Sequence, residues 1–321
     1  MIPIRFSGSH TKVVSASTFV YGTPTSSAII ASKYAPMSAE NTYPGLPYRY
    51  PRVLSIAGSD SAGAAGIQAD LKTFAALGCY GMTAITAVTA QNTRGVTAIH
   101  VVPPDMLRAQ IDAVMSDIGA DAIKIGMLPN PEAVRVVADT LAHYRPRHVV
   151  LDPVMVATRG TRLMAAETVQ VMVELLFPQV SVVTPNLDEA HVLLGHTVHG
   201  MEGLEAAAHG VRAQGASAVL LKGGHLQGDT VVDLLAAADG TSLRWVAPRI
   251  ASQNLRGTGC TLSSAITAYL ALGHTLPHAV ELARAYLMQA ITTGCNVTTG
   301  NGHGPLNHGH APVAMHKLRR H

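Results

Sequence analysis

The run Arg256-Gly257-Thr258-Gly259-Cys260-Thr261 concentrates residue types that handle anions. Two glycines let the backbone approach a ligand closely, and a helix beginning near Cys260 offers unbonded N–H groups and the positive end of its dipole. Anionic oxygens are expected to bind there. The same field lowers the pKa of a thiol, making Cys260 a candidate base or hydrogen-bond partner. A glycine turn before a helix with a small buried cysteine also accounts for these residues. Lys222, in Lys222-Gly223-Gly224-His225, ends a strand and sets an ammonium beside flexible backbone, as a phosphate clamp or a solvent-facing strand end does. Asp152 follows an apolar strand, and Glu189 closes Thr184-Pro185-Asn186-Leu187-Asp188-Glu189 at a strand-to-helix junction. Carboxylates at two neighbouring strand ends suit Mg²⁺, which is held through one or two carboxylates, waters and substrate phosphates. Asn186 with Glu189 three residues on also reads as a capping box.

Two familiar motifs fail on inspection. In Gly58-Ser59-Asp60-Ser61-Ala62-Gly63-Ala64-Ala65-Gly66 the glycine spacing of a P-loop is present, but Ala64-Ala65 stand where Lys-Ser/Thr are required. Gly257-x-Gly259 lacks the third glycine of a dinucleotide fingerprint, Leu262 taking its place. His303, His308, His310, His316 and His321 lack a helical HxxxH pair and read as loop and exposed tail rather than metal ligands.

The elements that must position these groups follow from periodicity. Strands are predicted at Val53–Ala57, Met82–Ala90, Ala122–Ile125, His148–Leu151, Val180–Thr184, Ala218–Leu221, Thr230–Leu235 and Leu243–Ala247. Helices are predicted at Gln68–Leu77, Pro104–Met115, Pro131–His143, Ala165–Leu176, Leu187–Leu194, Met201–Ala213, Cys260–Leu272 and Pro277–Gly294. Strands alternating with helices imply an α/β fold with a mainly parallel central sheet and helices on both faces. The last two strands, joined across Asp239-Gly240, form a small antiparallel edge. Ligands of open α/β sheets sit beyond the carboxyl ends of the strands. That rim gathers Gly58-Ser59-Asp60, Gln91-Asn92, Lys124 to Met127, Asp152, Asn186 to Glu189, and Lys222-Gly223-Gly224.

The 321 residues are 48% hydrophobic and 13% charged with a formal net charge of +3, which marks a folded chain without the clustered basic charge that nucleic acid needs. No apolar run approaches the ~20 residues that span a bilayer, so no membrane segment is expected. Three dispersed cysteines make neither a disulfide framework nor a metal-binding pair, which points to the cytoplasm. Residues 1–50 carry one acidic residue, Glu40, and no sustained period. They read as a disordered extension or a start assigned too early, with Met37 as initiator. Their hydroxyls also suit a transit peptide, although Arg is scarce. One domain is expected over residues 51–312, with a basic tail over 313–321.

Taken together, these segments resemble the ribokinase-like superfamily, and within it the hydroxymethylpyrimidine/phosphomethylpyrimidine kinases of thiamine biosynthesis. The resemblance rests on Ala57-Gly58-Ser59-Asp60, Ala65-Gly66-Ile67-Gln68-Ala69-Asp70-Leu71-Lys72-Thr73, Thr89-Ala90-Gln91-Asn92-Thr93-Arg94-Gly95-Val96 and Lys124-Ile125-Gly126-Met127-Leu128. It continues through Leu151-Asp152-Pro153-Val154-Met155, Thr184 to Glu189, Leu221 to His225, Gly257 to Ser263 and the closing Gly302-His303-Gly304-Pro305. It implies a three-layer α/β/α sandwich and ATP-dependent phosphorylation of 4-amino-5-hydroxymethyl-2-methylpyrimidine, then of its monophosphate. It also implies that Gly58, Asp70, Gln91, Met127 and Val154 surround the pyrimidine, with Gln91 and the backbone near Gly58 reading ring nitrogens and amino group. Asp152 and Glu189 would lie near Mg²⁺, Lys222 would contact phosphate, and Gly257, Thr258, Gly259 and Cys260 would form the anion hole, with Cys260 beside the acceptor. A homodimer is implied as well.

Many sugar kinases of the superfamily carry Asp where this chain has Cys260, and a tunable thiol suits an enzyme that accepts both an alcohol and an already anionic phosphate. Ala62 and Ala64 replace glycines usual in the first loop, and Arg256 stands where a His commonly precedes the Gly-Thr-Gly-Cys run. Two other readings compete: a pyridoxal kinase of the same superfamily, and a ligand-binding regulator that kept the fold without turnover.

Overall fold

A computed structural model of the protein describes residues 46–155, 164–198, 200–224 and 228–320. Most of the expected N-terminal extension, Met37 included, and also His225 and His321, lie outside the described residues. The strands are β1 (Tyr48–Arg49), β2 (Arg52–Asp60), β3 (Tyr80–Asn92), β4 (Gly95–Val101), β5 (Ala122–Ile125), β6 (Val149–Leu151), β7 (Val182–Val183), β8 (Ala218–Lys222), β9 (Thr230–Ala237), β10 (Ser242–Pro248) and β11 (Leu318–Arg319). The α-helices are α1 (Gly66–Ala76), α2 (Pro104–Asp117), α3 (Pro131–Tyr144), α4 (Ala166–Leu176), α5 (Leu187–Leu194), α6 (Gly200–Arg212), α7 (Thr258–Ala271) and α8 (Leu276–Gly294).

Nine strands form one sheet in the order β10-β9-β8-β7-β6-β5-β2-β3-β4. Its centre, from β3 to β8, is parallel, the chain returning through helices between these strands. Antiparallel strands close both edges: β4 beside β3, and β9 with β10 beside β8. Two cores follow from the period-2 alternation of the central strands. Leu54, Ile56, Ile123, Ile125, Val149, Leu151, Val219 and Leu221 point one way and pack with side chains of α2 to α6. Val53, Ala122, Val150, Val182, Ala218 and Leu220 point the other way, against α1, α7 and α8. The three-layer sandwich implied by the resemblance is the fold observed.

Local chemistry sets the ends of these elements. Asn130 caps α3 by accepting from Ala133 N at 2.9 Å, with Pro131 in the first turn where its missing N–H costs nothing. Asn186 and Glu189 form the reciprocal capping box of α5, each side chain accepting from the other's backbone N–H at 2.8 Å.

Three expectations are corrected. First, the strand before the first loop does not stop at Ala57 but runs to Asp60, its register against β3 shifting around Gly58. Second, β4 was not expected. Its seven residues are almost all exposed, so they carry no buried face for a periodic pattern to reveal. Third, the ends of the chain are not merely extension and tail. Tyr48–Arg49 pairs with Leu318–Arg319, Val313 N donates to Ala76 O at 3.0 Å, and His316 N donates to Gly78 O at 2.9 Å. Arg49 and Arg52 both reach Asp121, the first at 2.6 Å, and their two cations hold that carboxyl below the usual carboxylate range against the effect of burial. The boundary drawn between residues 50 and 51 therefore falls inside paired structure.

Candidate active site

The head of α7 is built by Gly257, whose φ of 87° puts it in the left-handed region open to glycine. A side chain there would overlap the carbonyl of Ala64, so the turn seats directly on the loop that follows β2. No side chain caps α7, and of its first-turn N–H groups Thr258 donates to the Leu255 carbonyl at 3.3 Å, leaving those that follow for an incoming oxygen. Gly259 makes a second close approach. A Cβ on it would lie 3.3 Å from Lys222 Nζ and 3.5 Å from Asp152 Oδ2. The ends of β6 and β8 thus deliver a carboxylate and an ammonium onto the first turn of α7.

These charges are mutually compensated. Lys222 Nζ donates to Asp152 Oδ1 at 2.9 Å and lies 3.9 Å from Glu189 Oε2. Thr184 Oγ1 donates to the same Asp152 oxygen at 3.2 Å, and Ser263 Oγ contacts Asp152 Oδ2 at 3.4 Å. Burial works to raise the Asp152 carboxyl, but the ammoniums of Lys222 and Lys124 outweigh it and hold the group low. Burial would also lower Lys222, and Asp152 and Glu189 reverse this and hold it protonated. Glu189, pushed up mainly by burial and further by Asp152, sits at about 7 although Lys222 pulls it down. Glu189 is therefore both the capping-box partner of α5 and a member of this cluster.

Cys260 corrects an expectation. Burial pushes its thiol up to about 11, and the downward pull of Lys124 and of the Gly66 amide does not offset it. The helix terminus is outweighed by desolvation, so the group at neutral pH is a thiol and not a thiolate.

Of the residues expected around a ring, Gly58 and Met127 come together: a Cβ on Gly58 would meet Met127 Cε at 2.8 Å. The Met127 carbonyl accepts from Thr86 Oγ1 at 2.8 Å, fixing the loop after β5. Val154 follows Asp152 in a tight turn, its N–H donating to the Asp152 carbonyl at 2.9 Å. Gln91 is tied to the first loop, its N–H donating to Ser61 Oγ and its carbonyl accepting from it, both at 2.8 Å. Asp70 is tied to three other elements. It is fully buried, with its carboxylate occupied by Ser55 Oγ at 2.6 Å, Ser264 Oγ at 2.7 Å and Lys124 Nζ at 3.0 Å. Its carboxylate oxygens are thereby engaged within the core, where they support the site.

Sequence reasoning missed that support. Ser55 on β2, Lys124 on β5, Asp70 on α1 and Ser264 on α7 form a polar knot where four elements meet, and no spacing along the chain announces it. A second group fixes the Lys222 loop: Asp233 accepts from Gly223 N at 3.0 Å and from Arg284 Nε at 2.7 Å, with Arg284 lying 6.0 Å from the ring of Trp245. In the first loop, Asp60 accepts from the N–H groups of Ala62, Ala64 and Ala65 at 2.8 to 3.1 Å. The protein's own carboxylate thus fills the place a phosphate would take in a P-loop.

Two surface hollows, one around Leu141 to Pro146 and one beside Lys72 and His308, contain none of the rim residues. Among the described residues no cluster of three His, Cys, Asp or Glu side chains is arranged as a metal cage.

Comparison with known proteins now bears on the rim. The profile of the phosphomethylpyrimidine kinase family matches residues 60–307. The hydroxymethylpyrimidine/phosphomethylpyrimidine kinase of Rhizobium meliloti is 50% identical over 258 residues, 80% of this chain and 96% of its own length. That of Escherichia coli is 45% identical over 260 residues, covering 80% of this chain and 97% of the relative. Among solved structures, phosphomethylpyrimidine kinase from Clostridium difficile superposes with a TM-score of 0.67 at 42% identity, covering 75% of this chain and 99% of that one. A Bacillus subtilis pyridoxal kinase in complex with ADP superposes with a TM-score of 0.75 at 35% identity, covering 81% and 98%.

Proposed function

The chain belongs to the phosphomethylpyrimidine kinase family, and from that membership we infer its reaction and the part each rim residue plays. It is an ATP-dependent kinase of thiamine biosynthesis that phosphorylates 4-amino-5-hydroxymethyl-2-methylpyrimidine to its monophosphate and the monophosphate to the diphosphate. The pyridoxal kinase reading is not favoured: the shared backbone does not separate the two activities, but identity is higher to the pyrimidine kinases.

In this reading the amides of Gly257 to Cys260 receive the γ-phosphoryl group and Lys222 offsets its charge. The acceptor oxygen forms a bond to phosphorus as the bond to the β-phosphate breaks and ADP leaves. Alignment and fixed charge carry most of such a transfer. Cys260, with its proton retained, orients the acceptor hydroxyl by hydrogen bonding. The hydroxyl proton leaves late, to an oxygen of the transferred group, since a loose transition state demands little base. In the second step the acceptor is already an anion and needs no such help. Gly58, Gln91, Met127 and Val154 surround the ring, with Asp70 holding the floor beneath it.

The donor set fits Mg²⁺: two hard carboxylates, of which Asp152 Oδ2 has among the described residues only the long contact from Ser263. Asp152 and Glu189 would hold the ion, and it would neutralise charge gathering on the departing diphosphate.

The observation that carries this reading is the convergence of Lys222 and Asp152 on Gly259 at an uncapped helix head. We place the reaction in the cytoplasm, which suits three unpaired cysteines. Among the described residues no helix is long and apolar enough to cross a membrane. A homodimer would shelter the apolar side chains Val96, Ile99 and Val101 exposed on β4. The test is direct: purified protein with ATP, Mg²⁺ and the hydroxymethylpyrimidine should release ADP faster than with pyridoxal. Equal turnover of pyridoxal would restore the rival kinase, and binding without turnover would leave a regulator.

A further inference from the structure

Arg256 stands immediately before the Gly257 turn, held there by its N–H to the Gly304 carbonyl at 3.3 Å and a bridge to Pro305. Its side chain is 12% exposed. Nη2 donates to Gln91 Oε1, joining two residues 165 positions apart. Nε faces Asp60 Oδ2 at 3.7 Å, close enough for charge attraction but too far for a hydrogen bond, and it is buried with no hydrogen-bond partner. An unpaired buried donor is costly, and ordering a long side chain adds to that cost. The guanidinium is thus drawn inward by Asp60, whose own carboxylate is anchored on the amides of Ala62, Ala64 and Ala65.

The chemistry of the contact has one consequence. A guanidinium offers donors and no acceptor, so the Gln91 amide can meet it only with its oxygen. Turning that amide over would set Nε2 against Nη2, donor on donor. Arg256 therefore fixes which way round Gln91 lies, leaving Nε2 as a donor beside the second lone pair of Oε1 as an acceptor.

We propose that Arg256 is a positioning residue that determines ring specificity: it locks the Gln91 amide so that donor and acceptor face, in fixed order, a ring edge bearing an acceptor nitrogen beside an exocyclic amine. The inference rests on the reading that Gln91 contacts the pyrimidine. An aminopyrimidine satisfies both atoms at once, whereas a ring of the same shape without the amine leaves Oε1 without a donor from the ligand. A residue able both to donate and to accept would permit either orientation of the amide and blunt the choice.

Steady-state kinetics on the full chain test this, using Gln91→Ala, Arg256→Leu, Arg256→Lys and the Gln91→Ala/Arg256→Leu double variant. The acceptors are the hydroxymethylpyrimidine, its monophosphate and an analogue lacking the amino group. Arg256→Leu should raise KM for the pyrimidine roughly tenfold with kcat changed less than about threefold, and lower preference over the desamino analogue by the same factor. Arg256→Lys, which also only donates, should recover most of the loss. In the double variant the arginine change should add nothing beyond Gln91→Ala, since the two act through one contact. Multiplicative effects would overturn the proposal, as would a KM rise confined to the monophosphate, which would make Arg256 a phosphate contact. If Gln91→Ala raises KM and Arg256→Leu does not, the proposal alone falls; if Gln91→Ala is silent, the reading of Gln91 falls with it. Should Arg256→Leu fail to fold, Arg256→Gln carries the same expected tenfold rise and the same contrary outcomes.

Discussion

A thiol held at about 11 supplies no base at neutral pH, so Cys260→Ala is predicted to slow phosphorylation of the alcohol by roughly ten- to a hundredfold while slowing that of the monophosphate less than about threefold. Initial rates with each acceptor check this, and equal losses in both steps would contradict the division of labour. His308 gives a prediction about stability. Burial, aided by the charge of Lys72, pushes its imidazole down to about 4 from the ordinary 6.5, and its Nε2 lies 2.9 Å from Thr261 Oγ1 at the head of α7. Between those values the unfolded chain binds the proton and the folded chain does not, so stability falls as pH drops from 6.5 through 4, by on the order of 3 kcal/mol in total. Melting curves of wild type and His308→Gln from pH 7 to 4 should show the wild-type advantage shrinking; a gap constant with pH would refute the assignment. At this scale the sequence displayed residue types at strand ends and hid their partners. Lys222, Asp152 and Cys260 were legible because each follows a strand or opens a helix. The ties of Asp70 stayed hidden because its partners Ser55, Lys124 and Ser264 come from three other elements, and the Cys260 shift was misread because a helix terminus is visible in sequence and burial is not.

The elements make the sharpest contrast at the two glycines that head α7, Gly257 and Gly259. Gly259→Ala is favourable for the helix itself, yet its methyl would crowd Lys222 Nζ at 3.3 Å and lie in contact with Asp152 Oδ2. It should fold with a melting temperature within a few degrees of wild type and lose about a hundredfold in kcat/KM. Gly257→Ala instead combines a left-handed backbone with overlap on the Ala64 carbonyl, and should lose more than about 2 kcal/mol of stability. Thermal unfolding and kinetics on the pair separate the roles; a fully active Gly259→Ala would remove that turn from the chemistry. The central strands were readable because continuous apolar runs bounded by glycine and proline mark buried parallel strands, and the β9–β10 hairpin because Asp239-Gly240 is strong turn chemistry. The partner edge was not, because Gly95–Val101 has no buried face to impose alternation.

For the molecule as a whole, the Rhizobium meliloti and Escherichia coli relatives align over nearly their full length with 80% of this chain, and the family profile begins at residue 60, after the N-terminal segment. A protein beginning at Met37 keeps β1 and the Arg49–Asp121 and Arg52–Asp121 pairs, and is predicted to match full-length activity and melting temperature within error. One beginning at Arg52 loses β1 and should melt several degrees lower; loss of activity on removing residues 1–36 would show that the segment belongs to the working enzyme. The order of rim residues around the sheet was legible from the rule that ligands lie beyond strand ends, whereas the long-range ties that stiffen the rim, Asp233 with Arg284 and Arg256 with Gln91, arise only when the chain closes. The account as a whole turns on where the phosphoryl group sits. A structure of the chain with Mg²⁺, a non-hydrolysable ATP analogue and the hydroxymethylpyrimidine should place the terminal phosphate within hydrogen-bonding reach of the Gly257 to Cys260 amides and Lys222, with the ring hydroxyl beside Cys260. A terminal phosphate bound elsewhere on the rim, away from the head of α7, would contradict it.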